Sequence, residues 1–324
     1  MTRKTFAAAL IDGLYGSLAA DPNITIIGRG MLGHGAHDSE ADRLQADFAD
    51  RIIDPPTSEG AVTSMATGAA MAGLRPFFHF GTASFAYEAW NQIVNEAANI
   101  HYMSGGQFSA PVTFHMFHGV RGGGAPQHSH SPQAMYANCP GLEVVLPSSP
   151  RDVKGLIRTA LKSDNPTLII NHTKLLGLEG DVPDGDFDIP LGEAEVKRPG
   201  GDVTIVATSR MVQVALIAAD ALAKDDKIEA EVVDPRCAVP LDKATICTSV
   251  AKTGRLVVAD EGTLMCSIAS EIAAMVAEEA FSDLKAPIKR VGRPASPVPF
   301  SPPLEDAVTP SAADIIDAVR GALA

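Results

Sequence analysis

The chain has 324 residues, enough for two domains with separate cores. With 46% hydrophobic and 20% charged residues it has an ordinary globular balance. Its formal charge of −13 excludes a nucleic-acid partner, because phosphate binding needs clustered Lys and Arg. No run of about 18 apolar residues occurs, which excludes a membrane-spanning helix. The four cysteines, Cys139, Cys237, Cys247 and Cys266, form no C-x-x-C pair, so neither a zinc site nor a redox dithiol is indicated. The expectation is a soluble, cytoplasmic protein.

In chain order, Phe6, Leu10, Leu14 and Leu18 recur every fourth residue and predict an amphipathic helix over 4–20. Asp12 interrupts that apolar run and no A-x-A pattern follows, so the segment is not read as a leader. Strands are predicted at Ile24–Gly28, Phe77–Phe80, Val112–Met116, Glu143–Leu146 and Thr167–Asn171, with helices over 59–74, 84–101 and 150–163. A second series has strands at Val203–Thr208, Glu229–Asp234, Arg255–Asp260 and Ile288–Val291. Its helices fall at 210–223, 242–252, 266–281 and 311–323. The stretch 173–202, rich in Gly, Pro and Asp, reads as a linker. Alternating apolar strands and helices predict an α/β fold of two doubly wound domains, 1–185 and 186–324. On the helix over 59–74, Ala61, Ser64, Gly68 and Ala72 share one face. All are small, which suits close packing against a neighbouring element or a second subunit.

Two motifs compete for the chemistry. Gly28-Arg29-Gly30-Met31-Leu32-Gly33 follows a strand and matches the dinucleotide fingerprint, so an NAD-dependent oxidoreductase is the rival reading. Against it, the residues that follow, from His34 to Ser39, offer no apolar face to a sheet, and the next apolar run ends in Asp54-Pro55-Pro56. In the second motif, Asp54-Pro55-Pro56-Thr57-Ser58-Glu59-Gly60, the prolines set an extended entry and Ser58 suits a helix cap. Glu59 in the first helical turn is explained on physics alone by the helix dipole. Further on, Gly122-Gly123-Gly124 precedes Gln127-His128-Ser129-His130-Ser131, a flexible or tightly turning loop suited to placing a histidine.

From Glu59 onward the chain resembles the β subunits of the thiamine-diphosphate-dependent pyruvate, branched-chain 2-oxo-acid and acetoin dehydrogenases. The resemblance is carried by DPPTSEG, FFHFGTASFAYEAWNQIVNEAANIHYMSGGQ, VRGGGAPQHSHS and PGLEVVLPSSPRDVKGL. It continues through VTIVATSRMV, DPRCAVPLD and FSPPLEDAVTPSAADI, in order over nearly the whole length. It implies a transketolase-like pyrimidine-binding domain at 1–185 and a C-terminal transketolase domain at 186–324. It also implies decarboxylation of a pyruvate-like 2-oxo acid with acyl transfer to lipoamide. By the same resemblance, Glu59 hydrogen-bonds the cofactor's aminopyrimidine and so activates its thiazolium carbon, a relayed acid–base step. Phe85 stacks on that ring, Thr57 and Gly81 line the pocket, and His128 lies beside the reacting carbon. His130, His101 and Tyr102 are weaker neighbours. A monovalent cation, K⁺, is implied at the main-chain carbonyls of Val112, Ala160, Leu161, Ser163 and Asn165.

The chain lacks the G-D-G motif that holds Mg²⁺ and the diphosphate; Gly185-Asp186 is followed by Phe187. The expectation is therefore an α subunit that carries this half, two α and two β chains together, and a dihydrolipoyl acyltransferase as acceptor. Where relatives place an acidic residue after the first strand, this chain has Arg29, so the substrate is left open. An acetoin dehydrogenase or split transketolase-like subunit, and a non-catalytic scaffold subunit, are the alternatives.

Overall fold

The computed structural model describes residues 1–28, 30, 32 and 39–324. Arg29, Met31, Gly33, His34 and His37, which belong to the glycine motif and the segment after it, lie outside the described residues. The chain forms two compact units. One is Met1–His118 with Met135–Leu191, the other Gly119–Ala134 with Gly192–Ala324. The units part at Leu191/Gly192 where the sequence reading put 185/186, and the histidine loop joins the second unit.

The first unit is built on a parallel sheet. Its strands run in the spatial order Glu143–Val145, Thr167–His172, Thr113–His118, Arg75–Thr82, Ile24–Ile27 and Ile52–Ile53. The central strands are buried along their length, which is why they read as continuous apolar runs. The N-terminal helix starts at Phe6 rather than at residue 4, because Thr5 caps it by accepting from the Ala8 amide at 3.1 Å. The residues before it, Thr2–Thr5, form a strand antiparallel to Glu179–Val182, inside the stretch read as linker. Asp12 has a partner that its sequence position did not reveal: it lies 2.8 Å from the buried Lys154 ammonium and 3.0 Å from that of Lys4. Burial pushes the Asp12 carboxyl up, but the hydrogen bonds and charges of Lys154 and Lys4 outweigh it, and the group sits below its ordinary range.

The single helix predicted over 84–101 is instead three short pieces. A 3-10 turn at Phe85–Ala89 leads to a π-helical turn at Gln92–Ala97 and a short α-helix at Ile100–Met103. Asn99 donates its amide to the carbonyls of Val94 and Asn95, a competition with the helical ladder that favours such irregular turns.

The second unit carries the parallel strands Lys289–Arg293, Leu256–Thr263, Val203–Ala207 and Ala230–Asp234, with Glu195–Arg198 antiparallel on the edge. That edge strand also falls in the predicted linker. Val203, Ile205, Val232 and Val257 bury their side chains against Met211 and Val212 of one helix and Ile315 and Val319 of the last. Each such fully buried side chain contributes about 1.5–3 kcal/mol. The last helix, Ala312–Leu323, opens on a reciprocal cap between Ser311 and Asp314. Among the described residues no helix is long and apolar enough to cross a membrane.

Candidate cofactor site

In the first unit, a cleft of about 210 Å³ is lined by Gly28, Pro55, Pro56, Thr57, Ser58, Glu59, Val62, Phe78, His79, Phe80 and Phe85. Glu59 begins the helix Glu59–Met71 and is half-buried. Ser58 stands at the cap position, yet its hydroxyl makes no capping bond; at φ −166°, ψ 81° its backbone is off the extended cap geometry. The first turn is closed instead by the Val62 amide donating to the Ser58 carbonyl at 2.9 Å and by the Thr63 hydroxyl donating to the Glu59 carbonyl at 2.7 Å. Among the described residues no group hydrogen-bonds the Glu59 carboxylate. Phe85, which lines the same cleft, is 39% exposed, unusual for a ring of that size. Gly81 adopts φ +80°, and a Cβ there would stand 3.9 Å from the Phe85 ring. A carboxylate without a hydrogen-bond partner among the described residues and a partly exposed aromatic ring in one cleft suit a flat, hydrogen-bonding ring such as the aminopyrimidine; Gly81 lies beside that ring but not in the cleft's lining.

At the cleft's floor His79 lines the cavity, and behind it lies a buried polar cluster. His79 and His115 are cross-strand neighbours, with Nδ1 atoms 2.8 Å apart, and the Asn171 amide lies 2.9 Å from Nε2 of His115. All three are buried. One of the two rings donates its Nδ1 proton to the other, and which one does so depends on the tautomer. Gly28 packs against this strand: at φ +91°, a Cβ would meet the His79 carbonyl at 2.7 Å. The first glycine of the supposed dinucleotide motif thus has a local packing role. The signal for the floor was polar residues inside apolar strands, Phe77-Phe78-His79-Phe80 and Phe114-His115-Met116.

His128 lies in the second unit, at the end of a 3-10 turn Pro126–His128, and is half-buried. Its loop is tightly turned and pinned. The Gly119 amide donates to the His130 carbonyl at 3.0 Å, closing the base. A Cβ on Gly124 would strike the Ser129 hydroxyl at 2.7 Å, so the two limbs touch there. The Val120 amide donates to Glu261 at 2.6 Å, and the Gly122 and Gly123 amides donate to the two oxygens of Glu305 at 3.1 and 2.9 Å. Gln133, just past the loop, donates to Asp260 at 2.7 Å, as does the Thr208 hydroxyl at 2.8 Å. Burial pushes the Asp260 carboxyl up, against the lowering pull of those bonds. A run of glycine amides resembles a phosphate cradle; here its anion is an internal carboxylate, Glu305. His130 is exposed and sits below the ordinary imidazole range, by partial burial and then by the charge of Arg293.

The remaining predicted residues scatter. Tyr102 is 90% exposed, and His101 bonds the Phe108 carbonyl at 3.0 Å; neither lines the cleft. Of the five carbonyls proposed for a cation, Leu161 and Ser163 accept from the Arg75 guanidinium at 3.3 and 2.7 Å, and Ala160 from the Ser163 amide at 3.2 Å. Val112 accepts from the Thr167 amide at 3.0 Å and Asn165 from the Thr167 hydroxyl at 3.3 Å. Each oxygen keeps a second lone pair. Gly185-Asp186 is a turn held by Lys154, which bonds the Gly185 carbonyl, and by Arg158, which pairs with Asp186 at 3.2 Å. Among the described residues no three His, Cys, Asp or Glu side chains gather to hold a metal ion.

The model of the transketolase pyrimidine-binding domain matches residues 2–179, and that of the transketolase C-terminal domain residues 192–315. The β subunit of acetoin:2,6-dichlorophenolindophenol oxidoreductase from Cupriavidus necator is 42% identical, covering 99% of this chain and 98% of its own. The β subunit of the pyruvate dehydrogenase E1 component from Rickettsia felis is 41% identical over 98% and 97% of the two chains. A solved split-gene transketolase, described as an inactive β4 tetramer, superposes with a TM-score of 0.78 over 98% of this chain and 96% of its own. At 24% identity it shows the shared fold. The chain therefore belongs to the transketolase-like, thiamine-diphosphate-using oxidoreductase family that includes the β subunits of pyruvate and acetoin dehydrogenases.

Proposed function

We propose that this chain is the β subunit of a heteromeric 2-oxo-acid dehydrogenase component that decarboxylates a pyruvate-like acid and passes the acyl group to lipoamide. The observation that carries this reading is the cleft lined by both Glu59, whose carboxylate has no hydrogen-bond partner among the described residues, and the partly exposed ring of Phe85. When bound, thiamine diphosphate supplies a nucleophilic thiazolium carbon and an electron sink for decarboxylation. The chain's own part is to accept and return a proton at Glu59 and to hold the aminopyrimidine flat against Phe85. Thr57 lines the cleft, and Gly81 leaves space beside the Phe85 ring. His128 donates a proton or hydrogen bond to the substrate.

An α subunit holds the diphosphate through Mg²⁺, in an assembly of two α and two β chains. Two features of the first unit support a partner. The small-residue face of the Glu59–Met71 helix is exposed at Ala61, Ser64 and Gly68. In a separate segment of the same unit, Tyr102, Met103 and Phe108 are 90%, 69% and 47% exposed, large side chains that favour being covered. A dihydrolipoyl acyltransferase takes the acyl group, and the complex works in the cytoplasm. Within the chain, 1–185 serves the pyrimidine and 186–324 is the C-terminal domain. The five carbonyls coordinate K⁺ through their second lone pairs; a melting temperature equal in K⁺ and choline salts removes it from the account.

The similarity to acetoin oxidoreductase β subunits favours one second reading, an acetoin-cleaving enzyme. The test is reconstitution with an α chain bearing G-D-G, followed by assay against 2-oxo acids and acetoin with lipoylated acceptor. Glu59→Ala is expected to lower turnover by at least about 100-fold. Undiminished turnover would leave only a scaffold role for this subunit.

A further inference from the structure

The histidine loop is held by a residue far away in the chain. Glu305 lies in the first turn of the helix Pro302–Val308, is 2% exposed, and spends both carboxylate oxygens on the amides of Gly122 and Gly123. Those glycines adopt φ +88° and +71°, a conformation that turns successive amides toward one anion. Glu261 takes the amide of Val120 and is itself steadied by Arg210 at 3.3 Å. The base is closed at Gly119–His130, and Gly124 is wedged against Ser129 and Arg121. His128 therefore sits on a short turn whose limbs are fixed on both sides and whose next residue, Ser129, is fully buried.

We infer that Glu305 is a positioning residue for His128. As an internal anion it neutralises the glycine amides and sets the loop in the one conformation that presents the imidazole. This rests on the reading of His128 as the substrate-facing histidine. A carboxylate is required because both amides donate, and only a group with two acceptor oxygens and no N–H satisfies them together. A glutamine of the same shape turns an NH₂ toward one amide, so the loop loses one anchor while the helix keeps its packing.

The experiment compares Glu305→Gln, His128→Ala and the double variant in the complex reconstituted with the α chain. Hydrogen exchange at Gly122–Gly124 is measured on the β chain itself. Expected are faster exchange at those amides and a roughly 10- to 100-fold loss in kcat/KM for Glu305→Gln, the size of a small misplacement of a reacting group. In the His128→Ala background, Glu305→Gln adds no further loss, because it acts through that histidine. Losses that multiply in the double variant, or a loss of thermal stability with kcat/KM unchanged, overturn the inference. If His128→Ala alone leaves turnover intact, it is the role of His128 that fails, while the exchange result still reports whether Glu305 orders the loop.

Discussion

Two glutamates of this chain show how the same side chain is put to opposite uses. Glu305 is buried, accepts two backbone amides and belongs to the scaffold. Glu59 stands half-open at a helix start, without a hydrogen-bond partner among the described residues, and lines a cleft. A carboxylate whose lone pairs are satisfied internally fixes geometry. One left without a partner in a cleft is available for chemistry with a ligand. The difference lies in the surroundings: glycines with turned amides meet Glu305, while Glu59 shares its cleft with a double proline and the partly exposed ring of Phe85.

The comparison is broken most severely at Glu59, where the loss of two orders of magnitude in turnover is expected with the fold intact. Next comes the cleft wall. Phe85→Ala is expected to raise the cofactor concentration needed for half-maximal activity by roughly tenfold, with kcat changed less, since stacking binds the ring without sharing its proton. A titration of the reconstituted complex with thiamine diphosphate measures this, and an unchanged half-saturation point would remove Phe85 from the site. The smallest effect is expected at a carboxylate of the scaffold type. The Asp12 carboxyl is held below its ordinary range, so its contribution to stability is present above the unfolded value of about 3.9 and disappears as pH falls through the lower folded value. Asp12→Asn should therefore melt a few degrees below the parent at pH 7, with the gap closing below about pH 4. A gap of equal size at pH 3 and pH 7 would show that charge on Asp12 is not what steadies Lys154.

The fold was legible where burial imposes a period. The strands around Phe77, Val112, Thr167, Val203 and Arg255 are apolar because both faces are covered, and they formed within a few residues of expectation. Thr2–Thr5, Glu179–Val182 and Glu195–Arg198 escaped notice because they are short and largely uncovered, so their polar residues read as loop. Towards its end the helix over 84–101 is disturbed where the Asn99 side chain binds the Val94 and Asn95 carbonyls, which periodicity does not register. For the candidate site, Glu59 and Phe85 are proposed through the motif they share with the family. Physics alone explained the first as dipole compensation and the second as core. Glu261 and Glu305 leave no local trace: Glu261 meets its amide partner 141 residues away, and Glu305 meets its partners 183 and 182 residues away. His79 did leave one, a polar residue in a buried strand, and its partner His115 repeats it in the neighbouring strand.

The central claim is that Glu59 activates the cofactor by sharing a proton with its pyrimidine ring, and proton exchange at the thiazolium carbon tests it without any substrate. Deuterium exchange there should be fast in the parent complex with its α chain. In Glu59→Gln it should be slower by about 100-fold or more while the cofactor remains bound. Exchange at the parent rate in the Glu59→Gln complex, with the cofactor bound, would contradict the account.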